Sequence, residues 1–194
     1  SPMTDIPIDS NVGGYFGPFL KFSGFDVIEL TGKAEEDVII VIDGNKGTVS
    51  IEKAPLEHKD AHVLGEELTT MYAEDDNDRK NVAVVCSGSA ADHCNLSMLN
   101  FTFYDPKRNV VRLKQAGRGG IGRVFAGKHI KALVCHFKGV KANLNHVYDI
   151  SILNRDGLKF HREVATQDDK QNSMRKSGTA YSLRIMSDYD ILPT

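Results

Sequence analysis

Two glycine-rich stretches hold the residues best suited to chemistry. One is SNVGGYFGP, from Ser10 to Pro18, and the other is QAGRGGIGRVFAGK, from Gln115 to Lys128. Glycine adopts positive φ readily and lets a ligand reach main-chain N–H groups with no Cβ in the way. Successive N–H groups at such a corner form an anion nest. Lys114 and Arg118 add charge-assisted bonds to phosphate oxygens, and the Asn11 amide oxygen suits a hard cation such as Mg²⁺. Two corners of this kind can hold both ends of a phosphate-bearing ligand. Tight, solvated turns with exposed arginines would use the same residues, and spacing alone leaves both readings open.

Standard nucleotide motifs do not account for these stretches. GRGGIG matches G-x-G-x-x-G only loosely, and the preceding VVRLKQA is a poor βαβ entry. No G-x-x-x-x-G-K-[ST] occurs, because His129 follows Gly127-Lys128 where Ser or Thr would be needed. Other candidates read as structural. His58 and His62 stand at i, i+4 but lack the Glu of H-E-x-x-H, which favours a surface pair. DDNDR lacks the glycine and terminal glutamate of a calcium loop and reads as part of a solvated linker. Cys86 and Cys135 end apolar runs and read as buried packing residues. His129 and His136 flank a strand and read as near-surface.

The elements that must position the two corners follow from periodicity. Phe16, Leu20 and Phe22 can share one side of a short amphipathic segment stopped by Gly24. FDVIEL (25–30) and DVIIVID (37–43) read as strands from their β-branched content, and GNKG predicts a hairpin between the second of these and TVSIE (48–52). Ala61, Leu64, Leu68 and Met71 recur at helical spacing. EDDNDRKN reads as a linker, VAVVC as a buried strand and NLSMLNFTFY as a half-buried one. IKALVCHF is a further strand. From Gly139 onward the chain is more polar and partly helical in spacing, and GTAYSLRIMSDYDILP predicts one more helix ended by Pro193. Strands dominate early and helices late, so the predicted class is α+β, with residues 1–138 forming a β-rich base domain and 139–194 a helical extension of it.

Bulk properties exclude several classes. At 194 residues, 41% hydrophobic and 26% charged, the chain has the composition of a globular protein with room for a sizeable core. A net charge of −2 argues against a general nucleic-acid binder. No apolar run approaches the ~20 residues of a membrane helix, and no signal peptide is visible at the start. The three cysteines show no paired spacing, which points to a reducing compartment, the cytoplasm, rather than to a disulfide framework.

Taken whole, SNVGGYFGPFLKFSGFDVIELTGKAEEDV resembles the N-terminal domain of the tungsten-dependent aldehyde ferredoxin oxidoreductase family, with its S-N-S-G-G-x-F-G-P-x-L-K-x-A-G-Y-D signature. AGRGGIGRVFAGKHIKAL is similar to that family's A-G-R-G-G-x-G-x-V-x-G-S-K-x-x-K-A stretch. GTAYSLRIMSDYDILPT resembles its later G-T…L-P-T segment, and the three motifs keep the family's order. The resemblance implies a base of two β-sheets related by a pseudo-two-fold, on which a bis-pterin tungsten or molybdenum cofactor lies, with Mg²⁺ bridging the pterin phosphates. Asn11, Gly13 and Gly14 match the first phosphate loop. Ala116, Gly117, Arg118, Gly119 and Gly120 match the second, beside Lys114 and Gln115. Asn11 and the main-chain carbonyl of Gln115 are the implied Mg²⁺ contacts.

The departures carry weight too. Lys114 stands where the family has Arg, so charge is kept and the bidentate fork is lost. Gln115 replaces a small residue, and AADHCN (90–95) replaces an A-G-E-N stretch. The resemblance further implies that the family's leading strands, and its helical domains with the cysteine ligands of a [4Fe–4S] cluster, are not in this sequence. The chain would then complete no redox cycle alone. It would work with an iron–sulfur half, from the same gene or a separate subunit, and the full enzyme would use a ferredoxin-like acceptor. A homo-oligomer is also expected, because a base without its cover exposes apolar surface. The alternative is a non-catalytic scaffold or interaction subunit that keeps the fold and has lost the cofactor.

Overall fold

The computed structural model describes residues 6–55, 57, 59–139, 147–167 and 173–191. Contacts divide the chain into two units, Ser1–Leu144 and Asn145–Thr194.

The first unit is built on one sheet. Its strands are β1 (Val38–Asp43), β2 (Thr48–Lys53), β3 (Val82–Cys86), β4 (Leu99–Asp105), β5 (Val110–Ala116) and β6 (Ile130–His136), and its helices are α1 (Phe16–Phe22), α2 (Ala61–Tyr72) and α3 (Ile121–Gly127). The strand order is β2-β1-β6-β3-β4-β5. Only β1 and β6 run parallel; the other neighbours are antiparallel. Strands and helices thus pack around one mixed sheet, as an α+β reading requires. The described residues form this single sheet and not the pair that the resemblance implied.

Side chains alternate across a strand, so the apolar runs feed two cores. Ile40, Ile42, Val85, Leu133 and Cys135 meet Phe16 and Phe19 of α1 and Phe125 of α3. Ile39, Val41, Val82, Val84 and Val134 meet Leu64 and Leu68 of α2. β3 and β6 are covered on both faces, which is why VAVVC and ALVC (132–135) read as unbroken apolar runs rather than as alternation.

Local signals explain the ends of the elements. The Asp60 carboxylate caps α2 by accepting from His62 N (2.8 Å) and Val63 N (3.0 Å). Gly65 sits mid-helix because a Cβ there would stand 2.9 Å from Thr102 Cγ2, so α2 lies close against β4. In the expected hairpin, Asp43 Oδ1 accepts from Asn45 N (3.0 Å) and Lys46 N (3.1 Å), and Gly47 takes φ 68°.

Several expectations need correction. FDVIEL is not a strand: Phe25, Ile28 and Leu30 fold onto the α1 core, Val27 is 78% exposed, and no strand pairs with the segment. EDDNDRKN is not a solvated linker, because Asp78 and Arg79 are buried in a 3₁₀ turn, Asp78–Asn81. Asp78 Oδ2 lies 2.8 Å from His136 Nε2, and its other oxygen accepts from Asn81 Nδ2 at 2.8 Å. Arg79 pairs with Glu66 and lies over the Tyr104 ring at 5.0 Å. His136 is therefore a mostly covered partner, not a near-surface residue. VVRLKQA does form a strand, β5, but it pairs with β4 and not with β6, so it opens no βαβ unit, as expected. The final predicted helix is shorter than expected: a 3₁₀ turn, Gly178–Ser182, leads into α6 (Leu183–Asp188), and Asp190 takes φ 54° just beyond it. His58 and Pro193 lie outside the described residues.

In the second unit, α4 (Ile150–Thr166) is capped by Asp149, which accepts from Ser151 N (2.7 Å) and Ile152 N (3.1 Å). Neither α4 nor the short α5 (Ser173–Ser177) buries a residue.

The Asp78 carboxyl would be raised by its burial alone, but bonds from Asn81 and the Glu74 amide, with the charges of His136 and Lys138, hold it below its usual value. Its contribution to stability is full above the unfolded carboxylate pKa of about 3.9 and is lost as pH falls through the native value. Asp78→Asn is expected to lower the urea midpoint at pH 7 and to lose less of what remains between about pH 5 and pH 3 than the parent chain loses. Burial also pushes the Cys86 thiol up to about 12 and the Cys135 thiol up to about 11. In the native state a thiol reagent should modify only the exposed Cys94, with Cys86 and Cys135 appearing on unfolding.

Candidate functional site

The two glycine-rich corners meet at the β5 edge. Ala116 is the last residue of β5, and its side chain is 1% exposed in the α1 core. The chain leaves the sheet there and turns through Gly117–Gly120 into α3. The other corner, Ser10–Gly14, runs alongside and leads into α1. Arg118 N donates to Ser10 Oγ at 3.1 Å, tying the corners directly. Asp9, Ser10, Asn11, Gly117 and Arg118 line a cavity of about 480 Å³.

The glycines of these corners serve different ends. Gly119 (φ 75°) and Gly120 (φ 64°) take the left-handed backbone that disfavours side chains. A Cβ on Gly119 would collide with Ile8, and one on Gly120 with the Asn95 carbonyl. Gly14, at φ 109°, lies against the main chain of Phe101 and Thr102. Gly117 is unlike them: nothing stands within 4 Å of its missing Cβ, and its φ is not positive. The fold makes no demand for glycine at Gly117, and close approach of a ligand to the main chain would.

Several amides near the turn are already engaged. Gly122 N donates to Ser97 O (3.0 Å) and Arg123 N to Gly120 O (2.9 Å). The nest therefore narrows to Gly117–Gly120, where no described residue accepts from the Gly117, Gly119 or Gly120 amides. Segment 91–98 buttresses the turn from below. Arg123 Nη1 donates to Asp92 O at 2.8 Å and Ala91 O at 3.3 Å, and a Cβ on Gly122 would collide with Met98 O.

Charge at the site is mixed. Arg118 is exposed beside the cavity, and no ion pair among the described residues engages its guanidinium. Lys114 projects from β5 with its Nζ 5.9 Å from the Phe103 ring, and Arg112 lies 5.6 Å over the same ring. Tyr15 packs edge-on against Phe103 at 5.9 Å. On the cavity wall Asn11 Nδ2 donates to Asp9 Oδ2 at 3.4 Å, leaving the Asn11 oxygen available.

The structure thus gathers Asn11, Gly117 and Arg118 around one cavity, with Gly13 beside Lys114, Gly14 under the first corner, and Gly119 and Gly120 shaping the second. Of the other predicted residues, Gly13, Gly14, Lys114, Gln115, Ala116, Gly119 and Gly120 do not line the cavity: Gln115 is paired across the strand with Asn100, and the Ala116 side chain faces the core. Ser10, Asp9 and the Arg112–Phe103 stack were not singled out from sequence. Ser10 was detectable as the first residue of SNVGG; Asp9 and Arg112 give no motif signal. Among the described residues no cluster of His, Cys, Asp and Glu is suited to a metal. No described helix is long and apolar enough to cross a membrane.

Replacement of Gly120 by Ala is expected to destabilise by about 2 kcal/mol or more, since both its φ and its contact with Asn95 oppose a side chain. Gly117→Ala should stay within about 0.5 kcal/mol of the parent. Equal losses for the two variants in urea unfolding would contradict the different roles given to these glycines.

Residues 1–137 match the family described as aldehyde ferredoxin oxidoreductase, N-terminal domain. A tungsten-containing aldehyde ferredoxin oxidoreductase of Pyrococcus horikoshii is 30% identical over 195 residues, covering 100% of this chain and 29% of the relative. That of Pyrococcus furiosus is 33% identical over 138 residues, 69% of this chain and 20% of the relative. The chain spans less than a third of either relative. Among solved structures, the active site complex BamBC of benzoyl coenzyme A reductase in complex with 1,5-dienoyl-CoA superposes with a TM-score of 0.50 at 25% identity. That match covers 66% of this chain and 17% of the other.

Proposed function

From the premise that the chain belongs to the aldehyde ferredoxin oxidoreductase family through its N-terminal domain, we propose that it forms the phosphate-gripping part of a tungsten- or molybdenum-pterin oxidoreductase. The observation that carries this is the convergence of Ser10 and Asn11 from one corner with Gly117 and Arg118 from the other on one cavity, joined by the Arg118 N–Ser10 Oγ bond. The unforced glycine at Gly117 supports it further. When bound, the metal–pterin group supplies the electron-transfer chemistry of aldehyde oxidation.

This chain's residues bind and orient. The amides of Gly117, Gly119 and Gly120 and the Arg118 guanidinium hold phosphate oxygens. Lys114, placed over Phe103, adds a second positive charge at the rim, and Gly13 and Gly14 keep the first corner low enough for close approach. Ala116 anchors the turn from inside the core. The Asn11 side-chain oxygen and the Gln115 main-chain carbonyl are the proposed contacts for a bridging Mg²⁺. A [4Fe–4S] cluster has to come from other domains or a partner subunit. Cys86 and Cys135 are buried on opposite faces of the sheet and Cys94 lies on the surface, so the three cannot converge on one cluster. Reduced cysteines also suit a cytoplasmic enzyme with a ferredoxin-like acceptor.

One observation favours the second reading, a scaffold that has lost the cofactor: of the two proposed Mg²⁺ contacts, only Asn11 lines the cavity. Metal and pterin analysis of the native assembly separates the readings. Tungsten or molybdenum with pterin is expected. In that assembly Arg118→Ala should cut cofactor retention about tenfold or more, the worth of one charge-assisted bond of roughly 1.5–3 kcal/mol. An intact assembly with neither metal nor pterin would leave the scaffold reading standing.

A further inference from the structure

β2 and β5 form the two edges of the sheet, and the chain treats them differently. The β5 edge is defended. Glu66 Oε2 accepts from Val111 N at 3.1 Å, and Gly13 lies alongside Lys114. The β2 edge is open. All six of its residues are exposed, and among the described residues nothing beyond β1 hydrogen-bonds to its main chain. It carries no proline and no bulge, and its only basic residue is Lys53 at the end. An edge of alternating donors and acceptors is satisfied by water or by another strand, and natural edges without such defences are pairing templates.

The side chains state what kind of strand fits. Val49 is 53% and Ile51 71% exposed on the α1 face. They border an apolar groove of about 420 Å³ whose floor includes Ile28, Leu30, Val38 and Ile40. On the other face stand Thr48, Ser50 and Glu52.

We propose that β2 pairs antiparallel with β2 of a second copy of this chain, about a two-fold axis through Ser50. Directly opposite residues of an antiparallel pair share a face, so a symmetric pairing must centre on a residue. Centring on Ser50 sets Val49 against the partner's Ile51 and Ile51 against the partner's Val49. The apolar stripe then runs across the junction into both grooves. On the polar face Ser50 meets the partner's Ser50 and Thr48 meets the partner's Glu52, whose carboxylate already accepts from Ser50 Oγ (2.7 Å) and Tyr72 Oη (2.9 Å), so no like charges are opposed. Centring on Ile51 would instead set Val49 against Lys53, breaking the apolar stripe. The pattern is thus self-complementary in one register. The surface lies at the sheet edge away from the Ser10–Arg118 cavity, so this inference stands or falls independently of cofactor binding.

The test uses the full 194-residue chain in a Cys94→Ser background. Sedimentation at micromolar concentration should give twice the one-chain mass of 21.4 kDa. Ser50→Cys should form a disulfide-linked dimer on mild oxidation, and Ile51→Cys should not. Ile51→Lys, at a position already exposed in the single chain, should weaken dimerisation about tenfold or more while leaving the circular dichroism unchanged. If Ile51→Lys fails to fold, the cross-link decides alone. A monomer, a dimer indifferent to Ile51→Lys, or cross-linking through Ile51→Cys in place of Ser50→Cys would each overturn the proposal.

Discussion

The burial of Ala116 is the constraint from which the site takes its position. As the last residue of β5, its side chain is held in the α1 core, so the turn that follows starts from a fixed point and a fixed direction. Gly119 and Gly120 then fold the main chain back sharply in left-handed conformations, and α3 carries Phe125 into the same core. A turn pinned at both ends by buried side chains can present bare amides without collapsing onto them. The first corner is fixed similarly, since Gly14 leads directly into α1 and its buried Phe16 and Phe19. Two rigid starts bring Ser10 within hydrogen-bonding distance of Arg118 N.

Much of the fold could be read from periodicity where one physical signal dominated. The β1–β2 hairpin, β3, β6 and α2 were foreseen because β-branched runs, a GNKG turn and helical spacing each pointed one way. The failures arose where signals competed. Phe25, Ile28 and Leu30 have strand-forming neighbours but no pairing partner, so burial against α1 decided their path. The acidic 74–81 stretch looked solvated because nothing local shows that His136 and Glu66, distant in sequence, meet Asp78 and Arg79. α3 was hidden by Gly122 and Gly127, which lower helix propensity, though Gly122 lets the helix sit against the Met98 main chain. The glycine corners themselves could be read, because the residue type states what the backbone there must do. Their convergence could not be read from any local signal, because it rests on contacts between segments far apart in sequence, Gly14 against Phe101 and Thr102 and Ser10 against Arg118.

Buried charge plays a consistent part in this unit. The Asp78–His136 pair joins the 3₁₀ turn before β3 to the end of β6, and Arg79 with Glu66 joins the same turn to α2. Glu66 continues the chain of contacts to the β5 main chain. Such pairs add little stability against well-packed apolar residues, but they penalise misregistered arrangements that would strand a charge. Here they fix how α2 and the connection before β3 sit relative to the sheet. The site edge inherits that order through Glu66 and Val111.

The buttress under the second corner works through carbonyl oxygens. Asn95 and Met98 meet Gly120 and Gly122 with their main chain, and Ala91 and Asp92 receive Arg123 through theirs. Contacts of that sort are blind to which side chain a residue bears. Side-chain substitution at Asp92 and Asn95 can therefore leave this support intact, while the path of the segment is held in common by everything it supports.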